Sequence, residues 1–476
     1  MMTLQIETPA TSVRTRLEAA RDQAQHTGAP VLVSFSEPLP WRDPLAFFAG
    51  SSPAAHDRVY WEAPNGELIL VGIGAARTFA SAGADRFTAI AAAWRDLLAH
   101  AQRDATPADL AALPGVGPTL LGGFAFDPAR PGTHGWAGYP DGLMILPRFL
   151  LTCAAGRTVL TTCLVVEAGM DAGVEAARLE RERACLLATP DRVDPAPSAR
   201  PALNVADILP ADGWKAAVAG VVSDIQAGAL EKVVLAREVA VTAETALDPV
   251  ATLRRLRAGY PDCYVFAVAR GARCFLGATP ERLVRLADGT VQAACLAGTT
   301  RRGADAATDT QLGAALLDSP KNQEEHAVVR RMLADALAAV CSEVEMPTTP
   351  ALLRLRNVQH LYTPIRARLH NGTSLLELVA RLHPTPAVGG FPRPAALARI
   401  RACEGMDRGW YAGPVGWIDA RGDGEFAVAL RSALVDGSVA RAFAGCGIMG
   451  DSRPDDEYAE TQVKLQAVLS ALGETR

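Results

Sequence analysis

The stretch Ala444–Leu465, AGCGIMGDSRPDDEYAETQVKL, governs how the rest of this chain is read. It sets a glycine-rich turn directly ahead of a helix that carries Glu457, Glu460 and Lys464. Residues three or four apart share a helix face. Two carboxylates and an ammonium therefore project together, beside backbone that a ligand can approach closely. A surface helix often carries Glu and Lys at that spacing for solubility alone, but this one has company. SPKNQEEH (319–326), GATPERL (277–283), EKVVLAR (231–237), LAGTTRRG (296–303), HPTPAVGG (383–390) and GWYAGPVG (409–416) are all dense in Gly, Pro and charge inside apolar surroundings.

With 476 residues the chain can bury a substantial core. A hydrophobic share of 49% and a charged share of 21% are ordinary for a soluble globular enzyme. The formal charge of −5 and the lack of a basic block speak against a nucleic-acid partner. Nine cysteines, an odd number with no CxxC among them, read as reduced core thiols. The first residues lack the basic and apolar regions of a secretory signal. No apolar run approaches the ~18 residues of a membrane helix. The expectation is a cytoplasmic protein without a membrane partner, and a monomer, because no heptad demands a second copy.

Prolines 190, 195, 197, 201 and 210 cluster in one segment. At that density they disfavour regular helix or central strand, so residues 191–211 read as a connector between residues 1–190 and 212–476. Before it, VYWEAPNGELILVGIG (59–74) looks like a hairpin about Pro-Asn-Gly. A helix over 84–101 and further strands in LLGGFAFDP (120–128) and LMILPRFLLTCAAGRTVLTTCLVV (143–166) make this part mixed α/β. After the connector, 212–227 reads as a helix, EKVVLAREVAVTA (231–243) as a strand, and 262–299 as three or four strands joined by turns. Ser319 fits an N-cap and Pro320 the first position of a helix over 319–341. Strands and helices mix without strict βαβ alternation, which argues for a layered α+β fold.

Several residues stand out chemically. Lys232 lies in an apolar strand, where burial or a neighbouring cation lowers a lysine's pKa and makes it a base; packing of its stem with the amine in water is equally open. Glu281 follows Pro280 and, if desolvated, would keep a proton to donate, or else pair with Arg282 or Arg285. Glu325 and Glu460 are hard oxygen ligands of the kind Mg2+ takes. Gly445, Gly447 and Gly450 offer backbone amides to a carboxylate, although no phosphate-loop or dinucleotide pattern is present. Arg431 lies in a strand-like apolar run and needs an anion, from protein or ligand. His360, Tyr411 and Lys464 can supplement it. Neither a GxSxG elbow nor an HExxH exists in the chain.

Taken together, these motifs resemble the chorismate-utilising family, which includes anthranilate, aminodeoxychorismate, salicylate and isochorismate synthases. The resemblance covers 212–469 closely and the N-terminal part loosely. It implies stacked antiparallel β-sheets flanked by helices in one large compact unit, with residues 1–190 packing into it. It also implies roles: Lys232 as the base that activates water, Glu281 as the acid that protonates the leaving C4 hydroxyl, and Glu325 and Glu460 as Mg2+ ligands with Glu457 nearby. Tyr411, Arg431, Gly445 and Lys464 match positions that hold the substrate carboxylates. Gly298, Thr299 and His360 match the ring pocket.

Departures from the family pattern narrow the expected activity. Ala297 in LAGT stands where aminodeoxychorismate synthases have the lysine of PIKGT, and no LLES segment of anthranilate synthases occurs. Ala387 of HPTPAVGG stands where anthranilate and salicylate synthases have threonine. Within the resemblance this implies Mg2+-dependent isomerisation of chorismate that stops at isochorismate, for menaquinone or siderophore biosynthesis. The alternatives are a salicylate, anthranilate or aminodeoxychorismate synthase on the same substrate, or a catalytically silent binding protein.

Overall fold

The run Lys232–Ala243 forms a strand whose first eight residues are all buried, which requires cover on both faces. The layers around it supply that cover. The computed structural model describes residues 12–50, 57–103, 106–129, 134–188, 200–354, 358–370 and 372–475, and within them 22 strands form one hydrogen-bonded network.

The network folds into two antiparallel layers. In the longer, Arg58–Glu62 pairs with Tyr264–Arg270, and the ladder continues through Arg273–Thr279, Ser432–Asp436 and Val439–Ile448 to Lys232–Ala243. In the shorter, Thr119–Phe124 pairs with Pro414–Asp419, followed by Gly424–Val428, Arg282–Ala287, Thr290–Arg301 and Val358–Leu369. The strand Gly142–Ala154 joins them, pairing with Thr119–Phe124 and with Leu68–Ser81, which pairs in turn with Arg58–Glu62. Strands from before and after residue 200 are thus neighbours in both layers. The expected α+β architecture of stacked antiparallel sheets flanked by helices is the one observed.

Between the layers lies an aromatic core. Phe275 sits edge-on to Trp136, Tyr139 and Trp410 and beside Phe266, while Phe124 adjoins Phe426 and stacks on Phe87. Such rings bury large apolar area and favour these offset and edge geometries. The opposite face of the longer layer is covered by the helices Pro249–Gly259 and Pro454–Leu472.

Two short crossings carry the chain directly from one layer to the other, and they lie side by side. Pro280–Glu281 links Arg273–Thr279 to Arg282–Ala287, and Ala429–Arg431 links Gly424–Val428 to Ser432–Asp436. The Val428 amide donates to the Glu281 carbonyl (2.9 Å) and the Ala278 amide to the Arg431 carbonyl (3.3 Å). Arg431 therefore lies at a crossing and not inside a strand, and it adopts a left-handed backbone (φ 49°). For a non-glycine residue this is uncommon.

Two further expectations need correction. Gly445 and Gly447 belong to the strand Val439–Ile448; only Gly450 lies in the turn before the helix. A strand rich in glycine escapes residue propensity because its glycines serve close approach instead. Within 191–211, Ala202–Asp207 forms a strand antiparallel to Leu203's partner strand Lys232–Ala243. Pro201 precedes it and Pro210 follows it, so neither removes a ladder donor. Prolines 190, 195 and 197 lie outside the described residues.

Candidate active site

A cavity of about 250 Å3 opens between the two layers beside the crossings. The longer layer contributes Lys232 and Gly445–Gly447, the shorter Ala297–Thr299 and His360, and the crossings Glu281 and Arg431. Two helices close it: Pro320–Ala338 brings Glu325, and Pro454–Leu472 brings Glu457, Glu460 and Lys464. Tyr411 and Ala387 complete the wall, with Gly298 among the lining residues, so the candidate site residues named from the sequence line this one space, Gly450 excepted. The first helix forms as its sequence demands. Ser319 Oγ accepts from the Asn322 amide and Pro320 occupies the first position.

Lys232 is 1% exposed and its Nζ donates to Glu325 Oε1 at 2.6 Å. Alternation along the strand turns Lys232 and Val234 towards the cavity. Gly447 on the neighbouring strand makes the room: a Cβ there would lie 2.9 Å from Lys232 Cε and 3.1 Å from Glu325 Oε1. Burial pushes the Glu325 carboxyl up, but the Lys232 charge and hydrogen bond outweigh that and hold it below its ordinary value.

Glu281 behaves in the opposite way. Loss of water pushes its carboxyl up to about 7, against the pull of Lys232, Lys464 and Arg431. The salt bridge to Arg282 that the sequence left open does not form. Arg282 instead donates to Glu425 Oε1 and to the Tyr264 hydroxyl, both at 2.8 Å. A carboxyl group without its own cation, in a wall short of water, keeps its proton near neutrality.

The remaining polar groups are held by short bonds. Lys464 Nζ donates to the Gly445 carbonyl (3.0 Å) and pairs with Glu460 (2.7 Å). Burial opposes its charge, yet Glu460 and its other neighbours keep the ammonium above its ordinary value. His360 Nδ1 meets Thr299 Oγ1 at 2.9 Å. Burial, with Arg431 and Lys464, drives this imidazole down to about 3, so it stays neutral. Tyr411 stacks on Phe443 at 5.2 Å between centroids. Burial pushes Glu457 up, Glu460 adds to this, and the Ser452 hydroxyl at 2.6 Å pulls it back.

Glu325, Glu457 and Glu460 share the cavity, but among the described residues no three acidic, His or Cys side chains converge closely enough to cradle a metal ion. Lys232 and Lys464 each hold one of the three carboxylates. The sequence reading also passed over Lys321, Asn322 and Arg408, which line the cavity. Lys321 and Asn322 sit in SPKNQEEH, where their place in the first helical turn was the available signal. Arg408, in EGMDRG, gives no periodic signal at all.

The arrangement defines a class: an enzyme site with a carboxyl group raised to about 7, a buried lysine and further cations around one cavity. The chain belongs to the chorismate binding enzyme family, whose model matches residues 17–473. It is 38% identical over 465 residues to the isochorismate synthase MenF of Bacillus subtilis, covering 96% of this chain and 97% of the relative. It is 40% identical over 461 residues to the salicylate biosynthesis isochorismate synthase of Pseudomonas aeruginosa, covering 97% and 94%. Among solved structures, that of MenF, the menaquinone-specific isochorismate synthase from Escherichia coli, superposes with a TM-score of 0.78 at 29% identity, covering 97% of this chain and all of that one. Anthranilate synthase component I from Streptococcus pneumoniae, at 21% identity and a TM-score of 0.64, shares the fold. No helix among the described residues is long and apolar enough to cross a membrane, and all nine cysteines are free.

Proposed function

We propose that this protein is an isochorismate synthase, an isomerase that converts chorismate to isochorismate for menaquinone or siderophore biosynthesis. The observation that supports this best is Glu281: a carboxyl group held near pH 7 in the same cavity as Lys232. Arg431, Lys464, Tyr411 and the Gly445 backbone would hold the two carboxylates of chorismate, one on the ring and one on its enolpyruvyl side chain, and Thr299, His360 and Ala387 would bound the ring. Lys232 removes a proton from the water that attacks C2. Glu281 gives its proton to the hydroxyl leaving C4, the ring double bonds shift, and one water enters as one leaves. General acid and base groups each supply about 10²–10⁴-fold, and fixed orientation adds to that. A neutral His360 suits a pocket wall that must not compete for the proton.

The three carboxylates suit Mg2+ in kind, being hard oxygen donors of which two repel each other. Glu325 and Glu460, with Glu457 beside them, would hold the ion, which would supply Lewis-acid polarisation of a substrate carboxylate. Ala387 leaves no hydroxyl beside the enolpyruvyl side chain, which favours stopping before pyruvate is lost. Incubation of the purified protein with chorismate and Mg2+ tests the reading: isochorismate as main product is expected. Salicylate with pyruvate, ammonia-dependent anthranilate, or binding without turnover would each reject it.

A further inference from the structure

The strand that carries Lys232 has an incomplete edge. On one side it is zipped to Val439–Ile448 along its length. On the other, Gly390–Phe391 pairs only with Val233 and Lys232, and Ala202–Asp207 begins at Val239. Between them the backbone groups of Val234 and Ala236 face no strand. Buried amides and carbonyls need partners: the Val234 amide donates to the Gly389 carbonyl at 2.9 Å and the Ala236 carbonyl accepts from Trp214 Nε1 at 3.1 Å, while an ion pair serves the other two. Glu404 Oε1 accepts from the Ala236 amide at 2.7 Å, and Arg408 donates from its guanidinium to the Val234 carbonyl at 2.8 Å. The same guanidinium donates to the Val388 carbonyl at 2.9 Å, next to Ala387, and through Nε to Glu404 Oε2 at 2.8 Å.

Both side chains are almost wholly buried, at 4% and 5% exposed. The face of Phe126 lies 4.2 Å from the guanidinium and adds cation–π attraction. Arg408 lines the cavity, but its donors are turned into the wall. It fits a clamp better than a substrate contact. A planar guanidinium can reach three acceptors in fixed directions, which an ammonium cannot.

From this geometry we infer that Glu404 and Arg408 act together as a positioning pair. They stand in for the missing stretch of ladder and fix the Lys232 strand against the Ala387 segment, setting where the base sits relative to the ring. The inference rests on the proposed reaction for its kinetic readout, but not for its structural one.

Arg408→Lys, Glu404→Gln and Glu404→Ala test it, with kcat and KM for chorismate taken per folded molecule. Misplacing a base by about 1 Å costs on the order of 100-fold. Arg408→Lys should accordingly lower kcat about 10–100-fold with KM within about threefold. Glu404→Gln should recover part of what Glu404→Ala loses, because an amide oxygen still accepts from Ala236. The Ala236 amide should exchange with solvent at least about tenfold faster in Glu404→Ala, while Leu235, on the zipped edge, is unchanged. Unaltered kcat in all three variants overturns the proposal, as does a KM increase at constant kcat, which would make Arg408 a substrate ligand. If the wild type fails on chorismate, the functional reading falls, and the Ala236 exchange rate still decides the clamp: unchanged exchange sinks it.

Discussion

Glu281 and Lys232 share a cavity and keep different company. Glu281 has lost water without gaining a dedicated cation, while Lys232 has lost water and gained Glu325. The first predicts a pH profile. An acid raised from 4.5 to about 7 is protonated below that value. kcat/KM should therefore hold on the acid side of neutrality and fall about tenfold per pH unit above it; Glu281→Gln should remove that limb with the activity. The same shift has a stability sign. The protonated form's contribution is complete below the ordinary carboxylate range and is lost as pH rises through about 7. A profile flat from pH 6 to 9 (at roughly constant ionic strength) would deny Glu281 its role. Most of these residues were legible in the sequence because chemistry-bearing side chains in apolar runs are unusual. Arg408 was not, since a buried arginine that serves backbone carbonyls leaves no trace in its neighbours.

The carboxy-terminal helix and the strand ahead of it act as one element. Glu457, Glu460 and Lys464 face the cavity as their spacing requires. Tyr458 and Thr461, on the flank of that face, are tied to the Lys232 strand: Arg237 donates to Thr461 at 3.1 Å and lies over the Tyr458 ring, whose hydroxyl donates to Asp207. Glu460→Gln keeps this anchoring but removes one anionic donor. It should raise the Mg2+ concentration needed for half-maximal activity about tenfold or more, with little change in thermal stability; an unchanged metal titration dismisses Glu460 as a ligand. The helix was readable from its 3.6-residue period. The glycine strand was misread as a turn because glycine marks turns far more often than close approach. Only the position of Lys232 Cε, 2.9 Å from where a Gly447 Cβ would stand, reveals its use.

At the scale of the molecule, the cavity lies where the chain twice changes layers, so the site depends on both layers holding register. Phe275 and its aromatic neighbours fill the space between them. Phe275→Ala should cost about 3–5 kcal/mol and, because strands from before and after residue 200 interleave, denaturant should unfold both parts in one transition. Two separated transitions would argue for independent parts. Individual strands such as Tyr264–Arg270 were foreseen. Their partners were not, because the pairing of Tyr60 with Ala267 joins segments too distant for local pattern to specify.

The account turns on solvent water adding to the ring at C2 as Lys232 takes its proton and Glu281 supplies another at C4. Turnover of chorismate in oxygen-18 water tests this most directly. Isochorismate should carry one heavy oxygen, located at C2, and Lys232→Ala should form almost none. Product whose ring hydroxyl retains the ordinary isotope, or a Lys232→Ala variant that labels at the wild-type rate, would contradict it.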